Sequence, residues 1–177
     1  TLNQPSNERI MFYVDAPLFA EQEGPDWDLT DFWPKQTIST LAHEFQHMIH
    51  FYQKSVLAGS YLDRWINELS SMAAEEFVSE KLGIDGPRGV AWNDPTAGAI
   101  ENPNGRMPIF NYYNDHSVSL WDIYIETQGV LIDYSLSYSF GAYLTRNYGG
   151  TAFLQDLIQN GNGDETAVTE ASKTGST

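Results

Sequence analysis

The helical repeat of apolar and polar residues is strongest between Thr37 and Gln53. Apolar residues recur there at steps of three and four, which predicts an amphipathic helix with one buried face. They are Ile38, Leu41, Phe45, Met48 and Tyr52. Thr37 is a suitable N-cap for this helix, and Gly59 marks its expected end.

Further along the chain the same repeat predicts more helices. They cover residues 60–82, 119–125, 134–148, 151–161 and a short stretch after Asp164. Gly83 and the Gly149-Gly150 pair stand where helices commonly stop. Residues 84–117 are rich in Gly, Pro and Asn, so we expect a long irregular connection that forms part of a cleft wall.

Near the N-terminus, residues 10–14 form a short apolar run rich in strand-forming residues, which predicts a buried strand. Together with the helices, this strand predicts an α+β fold with a small N-terminal sheet, a mainly helical remainder and a cleft between them. A chain of 177 residues fits a single domain with its own core. We expect this domain to be excised from a longer chain.

The chain is strongly acidic, with 24 acidic and nine basic residues and a formal net charge of −15. This charge disfavours nucleic acid and anionic membranes as partners, and no apolar run is long enough to insert into a bilayer. Five carboxylates between Glu21 and Asp31 could serve a calcium ion, but no complete ligand loop is present. A solvated acidic loop is therefore the favoured interpretation, and calcium is unsupported.

The first predicted helix carries the sequence His-Glu-Phe-Gln-His, with histidines at 43 and 47. Because they are four residues apart, about one turn of 5.4 Å separates them and their imidazoles share a face. Two imidazoles so placed can hold one zinc ion, and the adjacent glutamate can act on its water. The motif predicts His43 and His47 as metal ligands and Glu44 as general base. The alternative is a pair of solvated or core histidines.

A catalytic zinc site usually has three protein ligands, and two residues compete for the third position. His50 lies a further turn along the same helix, so three imidazoles would converge poorly on one ion. We expect it behind the ligands or at the surface. Glu68 lies early in the next helix, and two antiparallel helices joined by a short turn would bring its carboxylate beside the imidazoles. Glu68 is therefore the predicted third ligand.

The sequence HEFQH at 43–47, followed by WINE at 65–68, resembles the gluzincin metallopeptidases. With Ser71, Met72 and Glu75 it most resembles the hyicolysin family of bacterial extracellular zinc endopeptidases. The resemblance covers residues 37–76 well and residues 134–150 more loosely. It departs at Leu69, where the family pattern has glycine, and at Met72, where thermolysin-like enzymes carry an acidic partner for a zinc ligand.

This resemblance implies a zincin-like domain with one zinc ion held by His43, His47 and Glu68, and with Glu44 as base. Three groups could replace the acid that is missing at Met72 and accept a hydrogen bond from a zinc-binding imidazole. They are Glu75, Glu76 and a backbone carbonyl.

Peptide hydrolysis also needs a donor to the oxyanion, and two residues are candidates. Tyr134 precedes the Gly149-Gly150 pair much as the catalytic tyrosine of zinc aminopeptidases precedes theirs. His116 is a looser analogue of the loop histidine of thermolysin-like enzymes. A packing role for the tyrosine and an exposed loop position for the histidine are the alternatives.

The sequence thus predicts a zinc-dependent metalloendopeptidase acting on peptides or proteins, and the hyicolysin resemblance implies a location outside the cell or at its surface. An endopeptidase is favoured over an aminopeptidase because no Gly-rich motif precedes Thr37. One alternative is a non-catalytic, peptidase-like binding or adhesion module, which would not need Glu44. Another is a structural zinc site, which would ordinarily use cysteine, and this chain has none.

Overall fold

The computed structural model describes residues 32–84, 86–88, 105–121 and 129–175, together with Phe12. Six α-helices and one π-helical segment lie in these ranges. They are α1 (Phe32–His50), the π segment (Phe51–Leu57), α2 (Arg64–Leu82), α3 (Arg106–Tyr112), α4 (Gly129–Asn147), α5 (Thr151–Gln159) and α6 (Glu165–Thr174). Within the same ranges, no helix combines the length and the hydropathy that a membrane span requires.

The predicted α+β class is wrong, because every regular element in the described ranges is helical. Of the strand predicted at residues 10–14, only Phe12 is described, and it is exposed and in no regular element. The acidic segment 21–31 lies outside the described residues. The helices bury one another: α2 packs against α1 on one side and against α4 on another. The core around α2 is therefore closed by helices rather than by a sheet.

The motif helix forms as predicted, but its ends differ from the expected ones. α1 begins at Phe32, upstream of Thr37, with Pro34 in its first turn. Proline is tolerated there because the first N–H groups of a helix have no partner within it. After His50 the winding widens into the π segment, which the Ala58 N–H closes by donating to the Gln53 carbonyl at 3.1 Å.

The π segment anchors the end of α1 through one buried cation. Lys54 is only 1% exposed, and its Nζ donates to the carbonyls of Asn160 and Asn162 and to Asn160 Oδ1. These oxygens replace the water that a buried ammonium loses. Lys54 thereby ties the helix that carries the histidine motif to the loop between α5 and α6.

The main apolar cluster lies on the side of α2 that faces α4, α5 and α6. From α2 it includes Trp65, Ile66, Leu69 and Ala73, and from the other helices Leu144, Phe153, Leu154, Leu157, Ala167, Val168 and Ala171. A fully buried side chain of leucine or phenylalanine size stabilises the fold by about 1.5–3 kcal/mol. The cluster fixes α2, and with it every side chain that α2 directs toward α1.

The predicted helix end at Gly83 is confirmed, and so is the short helix expected after Asp164. Gly83 ends α2 in the left-handed conformation, with φ of 66°. The Asp164 side chain caps α6 by accepting from the Thr166 N–H at 2.9 Å. The helix expected at 134–148 begins earlier, at Gly129.

Two other expectations fail in part. The connection predicted at 84–117 contains α3. The helix predicted at 119–125 is absent from residues 119–121, and the rest of it lies outside the described residues. Residues 119–121 form a turn, from which Trp121 packs against the main apolar cluster.

Leu69, one of the departures from the family pattern, is accommodated by a glycine on the facing helix. α2 continues without a break at Leu69, which is fully buried. A Cβ added at Gly141 of α4 would lie 2.8 Å from Leu69 Cγ and 3.2 Å from its carbonyl oxygen. The missing side chain at Gly141 lets the two helices approach closely enough for Leu69 to fit.

Gly141→Ala should destabilise the protein by about 1–3 kcal/mol, as expected for overpacking. In an open helix the same change would stabilise it by about 1 kcal/mol. Gly161→Ala is the matched control, because a Cβ there meets nothing within 4 Å, and we expect a change within about 0.5 kcal/mol. Urea unfolding of both variants measures this, and a Gly141→Ala protein as stable as the wild type would contradict the close approach.

Candidate metal centre

His43 and His47 of α1 face Glu68 of α2. The two imidazole rings lie 4.8 Å apart between centroids. Both Nε2 atoms approach the same carboxylate oxygen, Glu68 Oε2, at 3.2 Å from His43 and 3.6 Å from His47. One ligand atom from each of the three residues lies within 4.8 Å of the other two, and all three side chains are half-buried. The helix pair thus brings the three predicted ligands together.

The state of Glu68 shows whether these residues suit a metal ion. Among the described residues, its Oε2 is buried and has no hydrogen-bond partner apart from the two imidazoles that approach it. A buried acceptor left in this way costs about 1–3 kcal/mol, and more when it is charged. A cation among the three ligand atoms would satisfy the carboxylate and both imidazoles at once. Two imidazoles and one carboxylate are also a donor set found at catalytic zinc sites, where a fourth position stays open for water.

Behind His43 stands Glu75, one of the substitutes considered for the acid missing at Met72. Its Oε2 lies 3.3 Å from His43 Nδ1, and Ser39 Oγ donates to its Oε1. Burial alone would lower the pKa of His43, but its contacts with Glu68 and Glu75 raise it to about 9. Glu76 is used elsewhere, in an ion pair with Arg146. The carboxylate of Glu75 therefore orients the first imidazole and increases its basicity.

Behind His47 stands an amide instead of a carboxylate. Asn67 Oδ1 accepts from His47 Nδ1 at 3.0 Å and from His50 Nδ1 at 2.7 Å, and Ser71 Oγ lies 3.0 Å from His47 Nδ1. A proton on Nδ1 leaves the Nε2 lone pair of His47 directed at Glu68 and available to a metal.

His50 belongs to this supporting network and not to the ligand triad. It is 2% exposed, and Ser70 Oγ lies 3.2 Å from its Nε2. Burial lowers the pKa of His50 to about 4, so the imidazole is neutral near pH 7. This position behind the ligands is one of the two that the sequence left open for His50.

Glu44 lines a cavity of about 260 Å³ beside the triad. The other lining residues are Thr40, His43, Glu75, Gly86, Pro87, Arg106 and Tyr134. Burial, followed by the nearby charge of Glu68, raises the pKa of Tyr134, which keeps its hydroxyl protonated as a donor must be. The cavity therefore holds a carboxylate and a phenol next to His43.

His116, the other candidate oxyanion donor, lies at a different cavity of about 680 Å³. That cavity is mainly apolar and lies between α3 and α4, with Met107, Phe110 and Phe140 in its wall. The Nδ1 atom of His116 is 3.1 Å from Asp115 Oδ1. The structure does not place His116 in the wall of the cavity that contains Glu44.

Arg106 is a lining residue that sequence reasoning missed. It begins α3, its backbone N–H donates to the Pro87 carbonyl at 2.7 Å, and its Cζ lies 5.1 Å from the centroid of the Tyr134 ring. The local signal is weak, because the stretch 84–117 carries two arginines, Arg88 and Arg106, among four acidic residues. Nothing in that stretch indicates that it folds back over the histidine motif.

Comparison with known proteins identifies the family of this chain. A sequence profile of peptidase M30 matches residues 1–175. The chain belongs to the peptidase M30 family. This M30 chain is 28% identical over 158 residues to the neutral metalloprotease ShpI of Staphylococcus hyicus, an alignment that covers 88% of the chain. The hyicolysin-like resemblance is therefore confirmed.

The M30 chain spans about a third of the length of that relative, of which 31% is aligned. No solved structure matches the chain. Membership of a metallopeptidase family implies a metal ion, and the triad is a fitting place for it.

Glu75→Gln should weaken zinc binding by about 10-fold or more, because His43 loses the charge that supports its Nδ1. Glu80→Gln is the matched control, since it removes the same charge from an exposed position of α2. Competition with a chelator measures both affinities. Equal zinc affinity in the Glu75 and Glu80 variants would show that Glu75 does not support the site.

Proposed function

We propose that this M30 domain is the catalytic part of a zinc-dependent metalloendopeptidase. The strongest support is the convergence of His43 and His47 on the unsatisfied Glu68 Oε2, with Glu44 at the adjoining cavity. The metalloprotease name of the Staphylococcus hyicus relative supports the same reaction class. Proteins or peptides are the proposed substrates, and the extracellular space or the cell surface is the proposed location.

In this proposal His43, His47 and Glu68 hold the ion. When bound, zinc polarises the peptide carbonyl and makes water a better nucleophile near neutral pH. Glu44 accepts a proton from the attacking water and returns it to the leaving amine. Glu75 and Asn67 keep the two imidazoles oriented throughout.

Tyr134 is the proposed oxyanion donor. It shares the cavity wall with Glu44 and His43, and it keeps its phenolic proton. A hydrogen-bond donor placed where negative charge develops in the transition state raises kcat by a factor of about 10²–10³. The position of His116 at the separate apolar cavity favours Tyr134 over it.

Internal cleavage is proposed over removal of N-terminal residues. An aminopeptidase needs an acidic group dedicated to the free amine of its substrate. Residues 1–36 do not contain the Gly-rich segment that usually carries this group. Near the triad, Glu68 and Glu75 are engaged with His43.

Glu44→Gln should abolish casein hydrolysis while the zinc content stays near one ion per chain, because the base is lost and the three ligands remain. Glu80→Gln, an exposed control on α2, should retain activity. Mass spectrometry for metal and a casein assay check both points. If Glu44→Gln cuts as fast as the wild type, Glu44 is not the base. If the zinc-loaded wild type cuts nothing, a non-catalytic binding module becomes the better interpretation.

Tyr134→Phe should lower kcat by about 10²–10³ and leave KM and zinc content nearly unchanged, because only the developing oxyanion loses a hydrogen bond. Tyr143→Phe is the control on the same helix, since Tyr143 is exposed and outside the Glu44 cavity. Steady-state kinetics of these variants and of His116→Ala compares the candidates. If kcat falls in His116→Ala and is unchanged in Tyr134→Phe, then His116 and not Tyr134 is the oxyanion donor.

A further inference from the structure

Arg106 presents an unsatisfied donor at the cavity that contains Glu44. Its Nη1 atom is buried and, within the part of the chain that the structure describes, makes no hydrogen bond. A guanidinium has five N–H donors and no acceptor, so burying one nitrogen unpaired is costly unless a ligand brings an oxygen to it. The mechanism proposed above gives this donor no role.

Two contacts fix Arg106, one through its backbone and one through its guanidinium. The backbone of Arg106 is tied to the Pro87 carbonyl, and its Cζ stacks over the ring of Tyr134. Burial lowers the pKa of Arg106, while the charges of Glu75, Tyr134 and Glu68 oppose that change. Arginine stays protonated near neutral pH in any case. A fixed cation therefore stands beside the base and the first imidazole.

We propose that Arg106 donates from its guanidinium to a main-chain carbonyl oxygen of the peptide substrate and so positions the chain across the metal site. This inference rests on the proposed peptidase function and adds a substrate-binding residue to it. A peptide carbonyl is an acceptor that every protein substrate carries, whatever its side chains. Arg106 then serves binding without imposing a side-chain preference.

The charges around the site favour a carbonyl oxygen over a C-terminal carboxylate. The carboxylates of Glu44, Glu68 and Glu75 lie at the triad and the cavity. A divalent ion together with the Arg106 cation balances these three charges. A neutral carbonyl oxygen leaves the balance unchanged, whereas a terminal carboxylate adds an uncompensated negative charge in a partly buried place.

The test uses one internally quenched peptide taken from a casein cleavage site, prepared with an amidated and with a free C-terminus. For Arg106→Ala we expect KM to rise about 10- to 100-fold on both forms, the usual effect of losing a charge-assisted hydrogen bond. We expect kcat to change less than about threefold, because binding to substrate and to transition state is lost equally. Methylguanidine at millimolar concentration should partly restore KM in Arg106→Ala.

Arg64→Ala is the matched control. Like Arg106, Arg64 lowers the pKa of Tyr134 through its charge, but it does not line the cavity. We expect its KM to stay within about twofold of the wild type, which separates loss of a contact from loss of a nearby positive charge. An equal rise of KM in Arg64→Ala would overturn the proposal.

Other outcomes overturn it as well. A fall in kcat with unchanged KM would place Arg106 on the oxyanion, and an effect confined to the free-acid peptide would make it a carboxylate receptor. If Arg106→Ala does not fold, Arg106→Met decides, because methionine keeps an apolar stem of similar length and has no N–H donor. A KM in Arg106→Met equal to that of the wild type would then reject the proposal.

A binding measurement keeps this inference separate from the proposed function. In the zinc-loaded Glu44→Gln protein, the Kd of the uncleaved peptide should rise by the same factor when Arg106→Ala is added. This measurement needs no turnover by any variant. A wild type that cuts nothing would defeat the proposed function alone, whereas an unchanged Kd would defeat the role of Arg106 alone.

Discussion

The contact between α1 and α2 is the constraint on which the rest of the structure depends. It places two imidazoles and a carboxylate oxygen within 4.8 Å of one another, an arrangement that is costly without a cation and stable with one. The supporting residues come from the same face of α2, where Asn67, Ser71 and Glu75 repeat every four residues. Since i and i+4 positions of a helix lie on one side, a single helix face supplies both the proposed third ligand and the partners of the two histidines.

This polar face is possible because the opposite side of α2 is strongly apolar. Trp65, Ile66 and Leu69 pack into the main cluster with α4, α5 and α6, and Gly141 lets α4 approach Leu69 closely. Burial of these side chains offsets the cost of ordering charged groups on the other side. Lys54 adds a polar anchor at the far end of α1. The site is thus held by the core and not by its own contacts alone.

The two imidazoles have different electrostatic surroundings. His43 is backed by the carboxylate of Glu75, and His47 by the amide of Asn67, which also accepts from the neutral His50. A carboxylate increases the basicity of its imidazole more than an amide does. The difference limits the negative charge gathered around one ion in a chain that is already strongly acidic. Arg106 provides the opposite charge at the neighbouring cavity.

The sequence by itself determined the features that depend on local spacing. They are the helical repeat, the two histidines one turn apart, Glu44 beside them and the helix stop at Gly83, all of which follow from contacts between residues near in the chain. The pairing of Glu68 with the histidines was predictable because only residues 51–63, the π segment and a short loop, join the two helices. Tertiary structure alone decided which acid stands behind His43, where His50 belongs, and that Arg106 reaches the Glu44 cavity. Among the described residues it also built the core from helices alone, although an α+β fold was expected, because contacts between distant segments depend on shape and burial that local patterns do not encode.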